Sequence, residues 1–364
     1  MNLGRSLTIC ILILYYHHKD YFADWVEPYI IVATRRKESF GISRLLLHYI
    51  GSDSHCRYSH YHFCNKMKLT NKFKLPKEIL RAISNDTYSK GESTISVSGL
   101  LSAPRPRILG MEHQDSIVVD AVDQVWKILG TATHTILERA NEGYEDTMIE
   151  ERMYASVLGW TISGQTDSIS LEENTLKDYK VTSVYKVMKA QKEGDDSWEA
   201  QLNCYAWLYQ HNIGKTIDKL QIITVNRDWN KSQKKRMGND YPDSPISVID
   251  IPVWDTETQK EFIEERVKLH QEAEADFLIN RELPLCSEEE RWKRPDSFRV
   301  MKKGRKTALR VLDTQSKADD YISKSSDNNL TIEFAKGESI KCKDYCDVAE
   351  FCEQYQKEVA NERL

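Results

Sequence analysis

Two aspartates and a lysine fall on what the sequence predicts to be one face of a β-hairpin at residues 163–183, SGQTDSISLEENTLKDYKVTS. Residues on both sides of a turn at 171–174 alternate in character, as in paired strands, where every second side chain shares a face. Counted from the centre of that turn, Asp167 and Asp178 lie opposite each other, and Lys180 points to the same side. Because directly opposed like charges destabilise a sheet, this arrangement needs a physical reason.

A divalent cation between the two carboxylates would be the simplest reason, since hard cations such as Mg²⁺ prefer oxygen ligands. Such an ion could polarise a phosphodiester, stabilise its leaving oxygen and lower the pKa of an attacking water. Lys180 could position that water or counter the charge that builds up on phosphorus. The alternative is a solvated strand face on which Asp167, Asp178 and Lys180 form an ordinary ion pair. Asp-x-Lys alone does not distinguish the two.

The elements around the hairpin are predicted from hydrophobic periodicity. A helix over 120–141 carries His134 and, one turn later, Glu138 on the flank of its apolar stripe, and a second helix over 198–210 carries Gln201 and Tyr205. Further predictions are a helix after residue 76, an extended segment at 91–110, a strand at 219–229, a helix over 256–280 and a helix near 318–325. We also predict a capping box at Thr256 and Gln259. The order helix, hairpin, helix, strand predicts an α/β fold with a central mixed β-sheet flanked by helices.

Four motifs in this order resemble the PD-(D/E)XK nuclease superfamily, in its RecB-like and phage exonuclease branch. They are His134 on a helix, GQTD ending at Asp167, DYK at residues 178–180, and QLNCY at residues 201–205. The specific motifs cover residues 120–229, and the looser resemblance runs from residue 67 to the C-terminus. One departure is Thr166, which stands where the family's name pattern has proline.

The resemblance implies a restriction-endonuclease-like core and assigns roles to the motif residues. It implies that Asp167 and Asp178 bind Mg²⁺ or Mn²⁺, that the backbone carbonyl of Tyr179 and the side chain of His134 add ligands, and that Lys180 is the catalytic lysine. It also implies that Gln201 and Tyr205 line the site and contact the nucleic acid strand.

Two basic segments with interleaved aromatic residues are candidate nucleic-acid surfaces, since cations neutralise phosphates while rings stack on unpaired bases. The second segment is residues 291–310, with Trp292 and Phe298. The first is residues 226–236, whose candidate contact residues are Arg227, Trp229, Lys231, Lys234, Lys235 and Arg236. A solvated loop is the alternative for each.

Four cysteines form a separate candidate site: Cys342, Cys346 and Cys352 lie close together, and Cys286 follows the nuclease motifs. In an intracellular protein such thiols favour a metal over disulfides. Several nucleases of the RecB-like branch hold a [4Fe-4S] cluster through one distant cysteine and three near the C-terminus, and the chain resembles that arrangement in part. A cluster, a tetrahedral Zn²⁺ and a group of buried thiols all stay open.

Composition limits the class of protein. Hydrophobic residues make up 40% and charged residues 29%, which indicates a folded globular chain. A net charge of -5 gives no general attraction to nucleic acid, so such a partner would be held by local basic patches. No apolar run approaches the roughly 20 residues of a membrane span, so no membrane partner is expected.

We expect four regions. Residues 1–66 form an N-terminal extension that the functional product need not include, because they differ in character from the rest and Met67 offers a second start. Residues 67–119 are a lead-in segment and residues 120–283 the nuclease core. Residues 284–364 are a helical, basic and cysteine-containing C-terminal region.

The sequence therefore leads to the expectation of a Mg²⁺-dependent deoxyribonuclease. The resemblance implies an exonuclease of phage or bacterial DNA replication, recombination or repair, in the cytoplasm of a bacterial or phage-infected cell. Its expected partners are DNA, as a single strand or a duplex end, and recombination or replication proteins. The alternatives are a nucleic-acid binding module of the same fold without catalysis and a structure-specific endonuclease.

Overall fold

The computed structural model describes residues 68–85 and 90–362, with side chains through residue 360, and the backbone of three strands nearer the N-terminus. The chain forms two compact units, Met1–Asn65 and Lys66–Leu364. In the smaller unit, β1 (Ile9–His17), β2 (Val26–Arg35) and β3 (Leu45–Leu47) form an antiparallel sheet in that order. Whether the functional product needs residues 1–66 stays a prediction, since most of that segment and all its side chains lie outside the described residues.

The larger unit is a mixed α/β structure, as the sequence predicts. Its helices are α1 (Lys77–Ser84), α2 (Val97–Leu101), α3 (Pro104–Glu112), α4 (Val125–Asn141), α5 (Val184–Glu193), α6 (Asp196–Ile213), α7 (Lys231–Met237), α8 (Thr256–Asn280), α9 (Gln315–Ser323), α10 (Ile340–Asp344) and α11 (Glu353–Glu362). Its strands are β4 (Lys68–Thr70), β5 (Ile95–Ser96), β6 (Val118–Asp120), β7 (Thr147–Ile149), β8 (Arg152–Val157), β9 (Trp160–Gln165), β10 (Ser168–Ser170), β11 (Thr175–Thr182), β12 (Lys219–Asn226), β13 (Ile246–Ile251), β14 (Ser297–Lys302), β15 (Arg310–Leu312) and β16 (Leu330–Ala335).

A five-stranded mixed sheet of order β13-β12-β11-β10-β7 is the centre of this unit. Strands β11 and β12 are parallel, and helices α5 and α6 lie between them in the chain, while the other neighbours pair antiparallel. Three smaller sheets accompany it: β5-β9-β8, β15-β14-β16 and β4-β6. The parallel pair needs a long crossover, which the two helices supply.

The hairpin register predicted from the sequence is confirmed. Ser168 pairs with Lys177 and Ser170 with Thr175, so the same register sets Asp167 opposite Asp178. The first strand of the hairpin is shorter than predicted, because it breaks at residues 166–167 between β9 and β10. Strand β9 therefore pairs in a different sheet, and Asp167 lies at the break between the two.

The main core lies between the central sheet and helix α6. Leu202 and Leu208 of α6 are fully buried, as are Leu176 of β11 and Ile222 of β12. Helix α8 adds Val267 to the same core. Burying such side chains contributes about 1.5–3 kcal/mol each, which fixes α6 against the strands that carry the candidate site.

The extended segment predicted at 91–110 is wrong for most of its length, since only β5 is a strand and α2 and α3 follow it. The Ser96 side chain accepts a hydrogen bond from Gly99 N and caps α2. Pro104 is the first residue of α3 and Pro106 lies in its first turn. Backbone N–H groups in a first turn have no intrahelical partner, so prolines there start a helix instead of ending one.

Helix α8 has the predicted bounds but a different cap. Asp255 is the N-cap, and its carboxylate accepts from Thr258 N at 2.9 Å. Gln259 does not complete a capping box with Thr256. Its amide is buried and donates to Asn203 Oδ1 and to the carbonyl of Trp254.

The C-terminal region, predicted to be helical, also contains a sheet. Strands β14, β15 and β16 form an antiparallel sheet, and α9 packs beside it with Ala318 fully buried. Among the described residues, no helix combines the length and the apolar character that crossing a membrane requires.

Candidate functional site

Strand β11 brings Asp178 and Lys180 to one face, next to the break in the chain that holds Asp167. The Tyr179 amide donates to Asp167 Oδ2 at 2.6 Å, which locks that carboxylate against β11. The N–H and C=O of one strand residue point toward the same neighbour, so the Tyr179 carbonyl faces the Asp167 side as well. The predicted pair of acids and the Tyr179 backbone are thus adjacent.

Helix α4 adds His134 to this group. Its Nδ1 lies 3.3 Å from Asp167 Oδ1, so the two Asp167 oxygens contact His134 and the Tyr179 amide. The hydrogen bond to Asp167 is the main cause that raises the pKa of His134 above its ordinary value, with burial acting against it. His134 and Tyr179 also meet edge to face, with ring centroids 6.2 Å apart.

Glu150 belongs to the same cluster and was not assigned a role from the sequence. Ligand atoms of His134, Glu150 and Asp167 all lie within 4.8 Å of one another, and no other such group of three metal-ligating side chains occurs in the described residues. Burial, followed by the nearby Asp167 charge, raises the pKa of the Glu150 carboxyl. Gln165 donates to Glu150 Oε2 at 2.5 Å and holds its side chain in place.

The backbone at Glu150 explains its position. Its φ is 49°, in the left-handed region that residues other than glycine rarely adopt, and its amide donates to the Asp167 carbonyl at 3.3 Å. Strands β7 and β10 pair Ile149 with Ser168, so this register continues to Glu150 opposite Asp167. A signal therefore existed in the sequence, but it required recognising the three-residue strand β7 as a partner of β10.

Asp178 is the most buried of the acids, with 2% of its surface exposed. Lys180 Nζ lies 2.6 Å from Asp178 Oδ2 in an ion pair, and this buried oxygen has no further partner among the described residues. Burial is the main cause that raises the pKa of the Asp178 carboxyl to about 6, with Lys180 opposing it and Asp167 adding to it. The site therefore contains a buried carboxylate oxygen that lacks a full set of partners.

These residues form a donor set that fits a hard divalent cation. Three carboxylates and an imidazole come from strand β11, from the residues directly after β7 and before β10, and from helix α4. The charges of Glu150 and Asp178 are disfavoured by burial and by Asp167. A cation would turn this repulsion into attraction. Asp167, Asp178, Glu150 and His134 could hold such an ion, and the Tyr179 carbonyl lies on the same side.

Gln201 and Tyr205 lie one turn apart on helix α6, as the sequence predicts. Gln201 Nε2 donates to the Tyr205 hydroxyl at 3.0 Å, and the Tyr205 ring is buried in the core. This close packing depends on Gly164 of β9. A Cβ at Gly164 would lie 2.6 Å from Leu208 Cδ1 and 2.9 Å from the Tyr205 ring. The glycine of the GQTD motif therefore lets α6 approach the strand that leads into Asp167.

The first basic segment follows β12 and contains α7. Arg227, Lys231, Lys235 and Arg236 are exposed. Lys234 is held by Asp243 at 2.5 Å and by backbone carbonyls. Trp229 is half-buried, and its indole N–H donates to the Pro242 carbonyl at 2.9 Å, so this ring is a less accessible stacking surface than its sequence suggests.

The second basic segment is partly neutralised within the chain. Arg291 lies 2.6 Å from Glu358 of α11, and Lys293 contacts the same carboxylate. Lys302 pairs with Asp327. The remaining positive charge is at the exposed residues Arg294, Arg299, Lys303, Arg305, Lys306 and Arg310.

The structure brings Cys286 toward the three C-terminal cysteines. Gln354 bonds both the amide and the carbonyl of Cys286, at 2.9 and 2.8 Å. Buried Arg105 connects the segment before it to the C-terminus: the guanidinium donates to the Leu283 and Pro284 carbonyls and lies 4.0 Å from Cys352 Sγ.

Burial is the main cause that raises the pKa of Cys286 to about 12 and that of Cys342 to about 11, and neighbouring thiols add to both. No three of the four sulfur atoms lie within 4.8 Å of one another. Zinc–sulfur bonds of about 2.3 Å in tetrahedral geometry would bring the sulfurs closer than this.

Comparisons with known proteins add little to this geometry. No protein-family model matches the sequence, and no curated protein matches it. The solved structures that match include one described as "Crystal structure of SSO0001", which is 21% identical, covers 52% of this chain and 84% of its own, and has a TM-score of 0.37. A TM-score of this size does not establish a common fold.

Proposed function

We propose that this protein is a Mg²⁺-dependent nuclease of the PD-(D/E)XK superfamily, in its RecB-like and phage exonuclease branch, that hydrolyses DNA phosphodiester bonds. The observation that carries the proposal is the cluster of His134, Glu150 and Asp167, with Asp178 opposite Asp167 in the hairpin register and paired with Lys180. The mixed sheet with helices against it supports a restriction-endonuclease-like core.

Mg²⁺ or Mn²⁺ held by the carboxylates would polarise the phosphodiester and lower the pKa of an attacking water. The side chains of the protein orient the ligands and balance charge at the reacting phosphate. Asp167 is oriented by the Tyr179 amide and by His134, so its oxygens are preorganised. Lys180 keeps a positive charge beside Asp178, where it stabilises negative charge on the phosphoryl group or orients the water.

The partner that fits this chemistry is DNA, as a single strand or a duplex end, held by the exposed cations that follow β12 and by those of the second basic segment. An exonuclease of phage or bacterial DNA replication, recombination or repair is the form we propose, in the cytoplasm of a bacterial or phage-infected cell. Recombination or replication proteins are the partners that such an enzyme would work with.

The experiment is cleavage of end-labelled linear DNA and a closed circle, single- and double-stranded, by the full chain with Mg²⁺ or EDTA. Lys180→Ala is compared with Lys177→Ala, a lysine on the same strand whose side chain lies on the other face and pairs with Glu173. We expect Mg²⁺-dependent loss of linear DNA alone, abolished by Lys180→Ala and kept by Lys177→Ala. Cleavage of the circle would indicate an endonuclease, and binding without cleavage would indicate a module without catalysis.

For the cysteines we propose a [4Fe-4S] cluster, with Zn²⁺ as the alternative. The tethering of Cys286 to Gln354, which holds it beside the C-terminal cysteines, supports this proposal. Iron and zinc analysis with visible absorbance on anaerobically purified protein tests this, and absence of both metals would remove the proposal.

A further inference from the structure

An exposed aromatic residue that no motif includes lies at the start of α4, the helix that carries His134. Trp126 keeps 62% of its surface exposed although it belongs to the apolar stripe of that helix. The guanidinium of Arg227 lies over its ring, 4.7 Å from the centroid. Tyr185, at the start of α5, is 76% exposed. The Trp126 ring is therefore accessible to a ligand.

Both members of the Trp126–Arg227 pair are held in place by their backbones. Asp120 caps the short 3-10 helix at Ala121–Gln124 that leads directly into α4, since its carboxylate accepts from Val122 N, Lys72 N and Thr70 Oγ1. Arg227 directly follows β12, and its amide donates to the carbonyl of Thr182, the last residue of β11, at 2.9 Å. Trp126 thus shares a helix with His134, and the backbone of Arg227 is fixed to the strand that carries Asp178.

The charge of Arg227 is available to an anion. In the described part of the chain, no carboxylate lies within ion-pair distance of its guanidinium, and the adjacent Asp228 instead accepts from Val184 N at 2.7 Å. Lys231 is exposed in the same segment. A flat ring beside a cation suits a nucleotide, because an unpaired base stacks on the ring while its phosphate contacts the guanidinium.

Residue spacing along α4 and β11 gives the approximate separation of the pair from the acid cluster. Trp126 precedes His134 by eight residues, about 12 Å along a helix axis at 1.5 Å per residue. Thr182, which holds Arg227, is three strand residues past Tyr179, about 10 Å. At about 3.4 Å per nucleotide of a stacked strand, both separations correspond to roughly three nucleotides.

We infer that Trp126 and Arg227 form a stacking site for an unpaired nucleotide roughly three positions from the bond that is cut, so that the enzyme prefers a single-stranded end. This inference rests on the proposed nuclease function and names the form of DNA that the same site accepts.

The test is equilibrium binding by fluorescence anisotropy, in the full chain carrying Lys180→Ala so that DNA is not consumed. The ligands are single strands of about three and about twelve nucleotides and a blunt duplex. We expect Trp126→Ala to weaken binding of the longer strand by about 5- to 100-fold, a loss typical of one stacked base. Trp126→Phe should retain most of the affinity, and Arg227→Ala should weaken binding and lower its salt dependence.

Tyr144→Ala is the matched control, since Tyr144 is an exposed aromatic residue past the other end of α4. It should bind as the parent does, and the three-nucleotide strand and the duplex should respond little to Trp126→Ala. Equal affinity of Trp126→Ala and its parent for the longer strand, in a protein of unchanged circular dichroism, would overturn the inference, as would absence of strand binding by the parent. Cleavage by the wild-type chain, measured separately, shows whether the nuclease proposal itself fails.

Discussion

Asp178 combines a cost to stability with its proposed role at the metal site. Folding raises the pKa of this carboxyl to about 6 through burial, so the ionised form is destabilised in the folded state. At pH 8 in EDTA we expect Asp178→Asn to unfold at the wild-type temperature or higher, while Mg²⁺-dependent cleavage is lost. Thermal unfolding by circular dichroism and the cleavage assay check the two halves.

Asp167→Asn is the natural comparison for that prediction. Its carboxylate contacts His134 and the Tyr179 amide, so the substitution weakens existing contacts and should lower the unfolding temperature. Cleavage should be lost here as well. A clear drop in stability for Asp178→Asn in EDTA would contradict the account of the buried acid.

His270 gives the fold a pH dependence outside the candidate site. Its ring is fully buried, Nδ1 accepts from Arg107 Nε at 3.0 Å, and Nε2 lies 3.0 Å from the Leu100 carbonyl. Burial and the charges of Arg107 and Arg266, the latter with a smaller effect, lower its pKa from 6.5 to about 4. Glu274, which pairs with Arg107, is the acid in this cluster.

The lowered pKa of His270 makes the free energy of unfolding depend on pH. Above pH 6.5 both states carry a neutral ring, but between 6.5 and 4 the unfolded chain takes up a proton that the folded chain resists, so stability falls as the pH falls. The loss amounts to up to about 3 kcal/mol. We expect urea unfolding of His270→Gln to lose this part of the pH dependence, whereas His211→Gln, at an exposed histidine, keeps it. The same slope in His270→Gln would refute the assignment.

Much of the candidate site was predictable at the residue scale because a hairpin register depends on the turn alone. The turn at 171–174 sets Asp167 opposite Asp178, and the period of two sets Lys180 on the same face. Glu150 was missed because its position depends on β7, a strand too short to show periodicity, and on a left-handed backbone at a non-glycine residue.

At the scale of elements, Gly164 sets how closely α6 packs on β9. A methyl group there would meet Leu208 and Tyr205 closer than real Cβ atoms approach. We expect Gly164→Ala to destabilise the fold by about 1–3 kcal/mol through overpacking. The rate of cleavage should fall as well, since a displacement of β9 at Gly164 would also move the end of that strand, which directly precedes Asp167. Chemical denaturation and the cleavage assay measure both effects.

Gly130→Ala provides the opposite control. Gly130 lies inside α4 with no atom within 4 Å of the added Cβ, so the same substitution should stabilise the helix by about 1 kcal/mol. If both substitutions change the free energy of unfolding in the same direction, close packing at Gly164 is not the cause of the effect of Gly164→Ala.

The hydrophobic pattern of the sequence predicts the long helices and strands but not the short ones. Helix α8 has the predicted bounds because its apolar residues repeat over many turns, yet its cap is Asp255, one residue before the predicted box. The prolines of α3 indicated an extended chain, but whether proline begins or ends a helix depends on where the first turn falls, which tertiary packing decides.

At the scale of the whole molecule, residues 66–364 form a compact unit with a core of their own. We therefore expect the chain from Met67 to unfold at the same temperature as the full chain and to cleave DNA at the same rate. Differential scanning calorimetry and the cleavage assay on both chains provide the comparison. A large loss of either property would show that the first 66 residues take part in the fold or the site.

The central claim is that the acid cluster binds a divalent cation, and Mn²⁺ binding tests it most directly because it needs no substrate. Electron paramagnetic resonance measures the concentration of the free ion. The full chain should bind Mn²⁺ through His134, Glu150, Asp167 and Asp178. Glu150→Gln should weaken that binding by tenfold or more, a loss on the scale reported for changes around metal ligands. Glu172→Gln, at an exposed acid of the hairpin turn, should leave it unchanged. Absence of Mn²⁺ binding by the wild-type chain, or equal binding by Glu150→Gln, would contradict the account.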